Sequence, residues 1–331
     1  MTERTDNTPT SLRRRLSAKT TLLSYKAGGR VAATLPGPVA HIGARQLAGV
    51  ANRLMAGRTE TVSRHMRRVH GPQLTGPALR RVVREVFDNY ARYWVESFRI
   101  RNETPESVLS RVTLDGWDHW EAATSQDKGV ILALPHLGNW ELAGAWVAAN
   151  GHRIVAIAEA LEPPELFEWF VQFREDLGME VVGVGPQAKD AAVEVLLNGG
   201  VLALVSDRDI NGAGVRVNFF GEDTTIPVGP ALLALKTGAV LLPIGTFYTD
   251  GGGVHCLVRP PLNTEPTGDT RADVARISQD LAHEFEAIIR IAPQQWHLLQ
   301  PNWPSDYTDQ DRPEHLRFDD DGLDAGEVRP M

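Results

Sequence analysis

The chain has a single cysteine, Cys256, among its 331 residues. Neither an internal disulfide framework nor a cysteine-rich zinc site is therefore open to it. It also has no run of 18 apolar residues, so no transmembrane span is expected. The first ten residues are polar and lead into Arg13, Arg14 and Arg15, without an apolar core and cleavage site in the order a secretory signal needs. A cytoplasmic chain is expected. With 30 Gly and 21 Pro, 42% hydrophobic and 23% charged residues, the composition excludes a disordered, collagen-like or coiled-coil chain and is that of a globular protein.

Acidic residues are scarce at one end only. Up to Arg101 there are 19 Lys and Arg against 6 Asp and Glu, a balance of +13, while the remainder carries −21. Basic charge concentrated at one end of an acidic protein points to a polyanionic partner, nucleic acid or an anionic membrane surface. A merely solvated basic face is the plainer alternative.

This basic region reads as helical. Leu79, Val82, Val83, Val86, Phe87, Tyr90, Tyr93, Trp94 and Phe98 recur at three-and-four spacing behind Gly76-Pro77, which predicts a strongly amphipathic helix packed on the main domain. Leu22, Leu23, Val31, Ala32 and Leu35, then Val39, Ile42, Leu47, Val50, Leu54 and Met55, predict two shorter helices around Pro36-Gly37-Pro38. Lys19, Lys26, Arg30, Arg45 and Arg53 are interleaved with them, the pattern of helices lying in a membrane interface. No zinc finger, helix-turn-helix or aromatic-interleaved RNA motif is present, so nucleic acid ranks below membrane.

From about Thr113 strand and helix patterns alternate. Strands are expected at 129–135, 153–158, 179–184, 201–206, 239–248 and 254–259. Helices are expected at 139–150, 163–177, 187–197, 228–237 and 271–291, and a long polar loop encloses residues 216–220. Such alternation predicts an α/β fold with a largely parallel central sheet flanked by helices. Residues 1–110 then form a basic helical appendage to the same domain, 111–305 the α/β core, and 306–331 an acidic tail expected to be disordered.

Chemistry in such sheets sits at the carboxyl ends of the strands. Pro135-His136-Leu137-Gly138-Asn139-Trp140-Glu141 places His136 in a strand-to-helix turn, with Glu141 in the first helical turn. The positive helix N-terminus disfavours an imidazolium and favours a neutral base able to accept a proton. A hydroxyl attacking an activated acyl group needs such a base. Other signals are weak. Gly183-Val184-Gly185 lacks the third glycine and ribose acid of a dinucleotide site, and Gly251-Gly252-Gly253 reads as a hairpin turn. Two rival readings use the same features. One makes His136, Glu141, Asp207 and Asp209 ligands of a hydrolytic metal; the other is a non-catalytic membrane or lipid-binding protein.

The segment from Leu134 to Glu141 resembles the His-x-x-x-x-Asp/Glu motif of lysophospholipid-type acyltransferases. More narrowly, it is similar to the bacterial lipid A lauroyl/myristoyl acyltransferase family, which includes actinobacterial phosphatidylinositol mannoside acyltransferases. An ordered series supports this resemblance: Ser206-Asp207-Arg208-Asp209, Val217-Asn218-Phe219-Phe220-Gly221-Glu222, Pro227-Val228-Gly229-Pro230, Lys236-Thr237-Gly238-Ala239, Leu242-Pro243 and Gln295-Trp296-His297. It runs from about residue 25 to 304.

The resemblance implies roles. His136 would be the general base, and Asp207 its partner, an Asp where a longer Glu is expected. Glu141 would orient His136 or brace the turn. Arg174 would sit in the active-site cleft and Glu159 near the acceptor, the plainer alternatives being a surface helix charge and a strand-end charge. Asn139 and Arg208 would contact substrate. The donor would be acyl-CoA, or an acyl-carrier protein in the lipid A branch, and the acceptor a glycolipid. No metal or other cofactor is implied, since a thioester is already activated. The lack of an apolar anchor favours the mannoside branch, peripheral on the cytoplasmic face of the cell membrane. An acyl chain would require an apolar tunnel at His136, with Leu137, Trp140 and Leu142 as candidate wall residues.

Overall fold

The computed structural model describes residues 56–318, except 102, 127 and 160–162, together with the isolated positions 29, 34 and 43. The two helices expected around Pro36 and the end of the acidic tail lie outside the described residues.

Two helices come first. α1 (Ala56–His70) and α2 (Gly76–Ile100) run ahead of α3 (Pro105–Ser110), β1 (Val112–Asp115) and α4 (Trp117–Thr124). The alternating core follows: β2 (Val130–Leu134), α5 (Trp140–Ala149), β3 (Ile154–Ala158), α6 (Pro164–Glu175), β4 (Glu180–Gly183), α7 (Pro186–Leu197) and β5 (Val201–Val205). Beyond them lie β6 (Val215–Phe219), β7 (Glu222–Ile226), α8 (Gly229–Thr237), β8 (Val240–Tyr248), β9 (Val254–Val258) and α9 (Thr270–Ile291).

Seven strands form one sheet in the order β1-β9-β8-β2-β5-β3-β4. All neighbours are parallel except β8 and β9, which form an antiparallel hairpin closed at the glycine turn. The sheet is thus the largely parallel one expected. All five residues of β2 are buried, as a strand covered on both faces requires. Ile131 and Ala133 face one core with α7, α8 and α9, and Val130 and Leu132 face a second with α3, α4 and α5.

The stripe on α2 does what its spacing predicts. Leu79, Val83, Val86 and Phe87 join Val62 and Met66 of α1 in the core that holds α9. Burying these side chains is worth about 2 kcal/mol each, more than helix propensity alone could supply.

Three features differ from the sequence reading. Short α3, β1 and α4 precede β2, too brief for periodicity to reveal. The polar loop around residue 216 is instead a β6–β7 hairpin pairing Val215 with Ile226 through Phe219 with Glu222. Its turn places Phe220 at φ 53° and Gly221 at φ 80°, the geometry of a tight hairpin, without the usual Asn or Asp at the first position. The tail expected from 306 starts with structured turns: Leu316 is buried and Asp306 sits in an ion-pair cluster. There Asp306 meets His65 Nε2 at 3.2 Å and Arg68 Nη2 at 2.9 Å, tying α1 to the C-terminal segment. Burial raises the Asp306 carboxyl, but His65 and Arg68 outweigh it and hold the group well below the usual carboxylate range.

Candidate active site

The site grows out of strand register. Leu134 ends β2 opposite Val205, the end of β5. Two residues further on, each chain presents a polar side chain above the sheet, His136 from one and Asp207 from the other. His136 Nδ1 lies 2.6 Å from Asp207 Oδ1, and the His136 amide donates to Asp207 Oδ2 at 3.0 Å. The Trp296 indole donates to the same Oδ2 at 2.8 Å. Burial alone would raise the Asp207 carboxyl; His136 and the Trp296 donor reverse this and hold it below its ordinary range. A carboxylate facing Nδ1 keeps the proton there and leaves the lone pair on Nε2.

Backbone contacts lock the turn. Gly138, at φ 59°, allows the chain to pass Thr246, whose carbonyl oxygen would lie 2.0 Å from any Cβ. The C-terminal segment pairs with the turn, His297 N donating to the His136 carbonyl at 2.7 Å and Gly138 N to that of Gln295 at 3.0 Å. Asn139 caps α5, its Oδ1 accepting from Leu142 N at 3.2 Å.

Glu141 does not orient His136. It is buried and forms a bidentate pair with Arg174 of α6, at 2.6 Å to Nη2 and 2.9 Å to Nε, and it accepts from Tyr93 Oη at 2.9 Å. The non-helical turn at 136–139 separates the two side chains, and Glu141, in the first turn of α5, meets Tyr93 of α2 and Arg174 of α6 instead. Arg174 is accordingly no surface charge. Desolvation lowers its basicity, but Glu141 more than compensates, so the guanidinium stays charged. Burial and Glu141 push the Tyr93 hydroxyl well above its ordinary value. The Tyr93 ring stacks on Trp140 at 4.3 Å, and Trp140 stands edge-on to His136 at 5.6 Å.

His136, 30% exposed at its side chain, opens on a cavity of about 950 Å³. Glu159, Arg174, Arg208 and Trp140 also line it. Asn139, Leu137 and Leu142 do not. Asn139 is fully buried as a helix cap, and the two leucines point into the cores on opposite faces of the sheet. Glu159 follows the end of β3, so it is both a strand-end charge and a wall residue.

Sequence reasoning missed three neighbours. Trp296 orients Asp207, and Tyr93 anchors Glu141. His297 lines the cavity, with no hydrogen-bond partner for either ring nitrogen among the described residues. Burial, then the proximity of His136, pushes the His297 imidazole down to about 3, so it is neutral. Membership of Gln295-Trp296-His297 in the ordered motif series was the available signal; nothing local marked the role.

The four proposed metal ligands do not converge. Glu141 is held by Arg174, and Asp209 caps its own loop by accepting from the amides of Asn211, Gly212 and Gly214. Among the described residues no group of three or more His, Cys, Asp or Glu could hold a metal ion. Nor, among them, is any helix long and apolar enough to cross a membrane.

Comparison with known proteins bears on the chemistry. Residues 10–305 match the family described as bacterial lipid A biosynthesis acyltransferase. The chain belongs to that family. A phosphatidylinositol mannoside acyltransferase of Mycolicibacterium smegmatis is 35% identical over 303 residues, covering 90% of this chain and 96% of the relative. One from Mycobacterium tuberculosis H37Rv is 40% identical over 231 residues, covering 68% of this chain and 71% of the relative. The acyltransferase fold and activity implied by the motif series are therefore those of the family, and the protein is an acyltransferase enzyme.

Proposed function

We propose that the protein transfers a fatty acyl group from acyl-CoA to a sugar hydroxyl of a glycolipid, a phosphatidylinositol mannoside, with His136 as general base. The observation that carries this is the His136–Asp207 pair opening on a large, mostly apolar cavity. The names of the relatives support the acceptor class.

The step balances within the two substrates and the base. His136 Nε2 removes the acceptor hydroxyl proton as its oxygen attacks the thioester carbonyl. The C–O bond forms, the C–S bond breaks, and the imidazolium returns its proton to the departing thiolate. Asp207 holds the reactive tautomer and stabilises the imidazolium between the two halves. The thioester is already activated, so the reaction calls for no metal or redox cofactor. The basic N-terminal region supports work at the cytoplasmic face of an anionic membrane, where both substrates carry lipid chains.

The test is to incubate the protein with long-chain acyl-CoA and a purified phosphatidylinositol mannoside, following thiol release and the acylated lipid together. Equal amounts of both products are expected, and loss of both with His136→Ala. Transfer only from an acyl-carrier-protein thioester would overturn the donor assignment. Full activity in His136→Ala would overturn the base.

A further inference from the structure

The cavity continues past His136 beneath α5, over the face of the sheet that carries Ile244, Cys256 and Leu114. These three residues come one each from β8, β9 and β1, which lie successively outward from β2. With strands about 4.8 Å apart, the passage covers roughly 14 Å from β2 to β1. Small residues of α5, Ala143 and Gly144, line the cavity from above. Two indoles line this part of the cavity, Trp120 from α4 and Trp146 from α5.

Neither indole is free to swing. Their ring centroids are 6.0 Å apart in an edge contact; Trp120 is backed by the His152 ring at 5.1 Å and Trp146 by Trp117 at 6.5 Å. Trp120 is only 3% exposed. A wall of fixed rings discriminates by length. A chain one methylene too long overlaps it, and one too short leaves apolar surface without partners.

We infer that the Trp120–Trp146 pair is the stop that sets the length of the acyl chain this enzyme accepts. The inference rests on the acyltransferase reading of the same cavity. Neither residue touches the reacting atoms, and their role is selection.

The test is a competition among saturated acyl-CoA thioesters graded from medium to very long chain. Wild type is expected to show a sharp optimum. Trp120→Ala should move it to longer chains, with a gain of about tenfold or more in relative kcat/KM for the first chain newly admitted. Cys256→Phe, which fills the passage before the stop, should move it to shorter chains. An unchanged profile in both variants would overturn the inference while leaving acyl transfer intact. Absence of transfer by wild type from every donor would instead overturn the acyltransferase reading.

A second measurement needs no substitution. Cys256 is the only cysteine, so a small methanethiosulfonate reports on the passage at β9 in the wild-type chain. Non-hydrolysable acyl-CoA thioethers should slow its modification only once the chain is long enough to reach β9. Equal protection by short and long thioethers would also overturn the inference.

Discussion

The Glu141 carboxylate is clamped by the Arg174 guanidinium, Oε1 to Nη2 at 2.6 Å, and no hydrogen bond joins it to His136. The acidic member of the His-x-x-x-x-Glu motif therefore belongs to a different charge cluster from the histidine. Through Tyr93 and Trp140 that cluster meets the imidazole only by ring contact.

Glu141→Gln should therefore cost stability before it costs chemistry. It leaves Arg174, 17% exposed at its side chain, without its compensating charge, and losing one partner of a buried pair costs about 3 kcal/mol or more. Urea unfolding should show this, and the double variant Glu141→Gln/Arg174→Met should recover part of the loss. A fully stable Glu141→Gln protein with turnover lowered as far as in His136→Ala would contradict this assignment.

Asp207→Asn should do the reverse. Its retained oxygen would still accept from the His136 amide and the Trp296 indole, which turns the new NH₂ toward Nδ1. The imidazole proton is then driven to Nε2, where the lone pair is needed. Turnover should fall by about 10²-fold or more with KM little changed. Steady-state kinetics on folded protein, verified by circular dichroism, measures both.

His136 was legible because its surroundings are local: an apolar strand, a turn and a helix cap lie within a dozen residues. The parallel sheet was legible for the same reason, each strand and helix carrying its own period. Asp207 came from an ordered series of motifs, and its closeness to His136 follows once Leu134 is paired with Val205. The partners of Glu141 were not legible, because Tyr93 and Arg174 reach it across 48 and 33 residues. Trp296 reaches Asp207 across 89 residues. The β6–β7 hairpin was hidden by Arg216, Asn218 and Asp223, whose mutual hydrogen bonds make one face polar while Val217 and Phe219 are buried. Asn139 is a helix cap in the structure, a role the sequence did not separate from a ligand contact because a polar residue beside a candidate catalytic turn reads equally well as either.

Membrane association should depend on charge. The protein is expected to sediment with vesicles containing anionic lipid and to release as salt is raised, since the screening length falls from about 10 Å at 0.1 M to about 3 Å at 1 M. Removing the residues before α1 should abolish the salt-sensitive part. Equal sedimentation with neutral vesicles, or no loss on truncation, would argue against an electrostatic contact by the basic region.

Acid should loosen the fold in two stages, the first set by His297. Its imidazole titrates near 3 in the folded protein against 6.5 for the free group. In that interval the unfolded chain takes up a proton that the native site refuses, so native stability falls as pH decreases. The contribution is complete above pH 6.5 and is lost progressively toward about 3. His152, lowered by partial burial, acts in the same direction, so the decisive quantity is the difference between wild type and His297→Gln. Below about pH 4 the depressed carboxyls of Asp207 and Asp306 join, since each favours the folded state only while ionised. Urea midpoints measured from pH 8 to 4 should fall more steeply in wild type than in His297→Gln. Parallel curves would mean that the His297 imidazole takes up its proton alike in the folded and the unfolded chain, and would contradict this assignment.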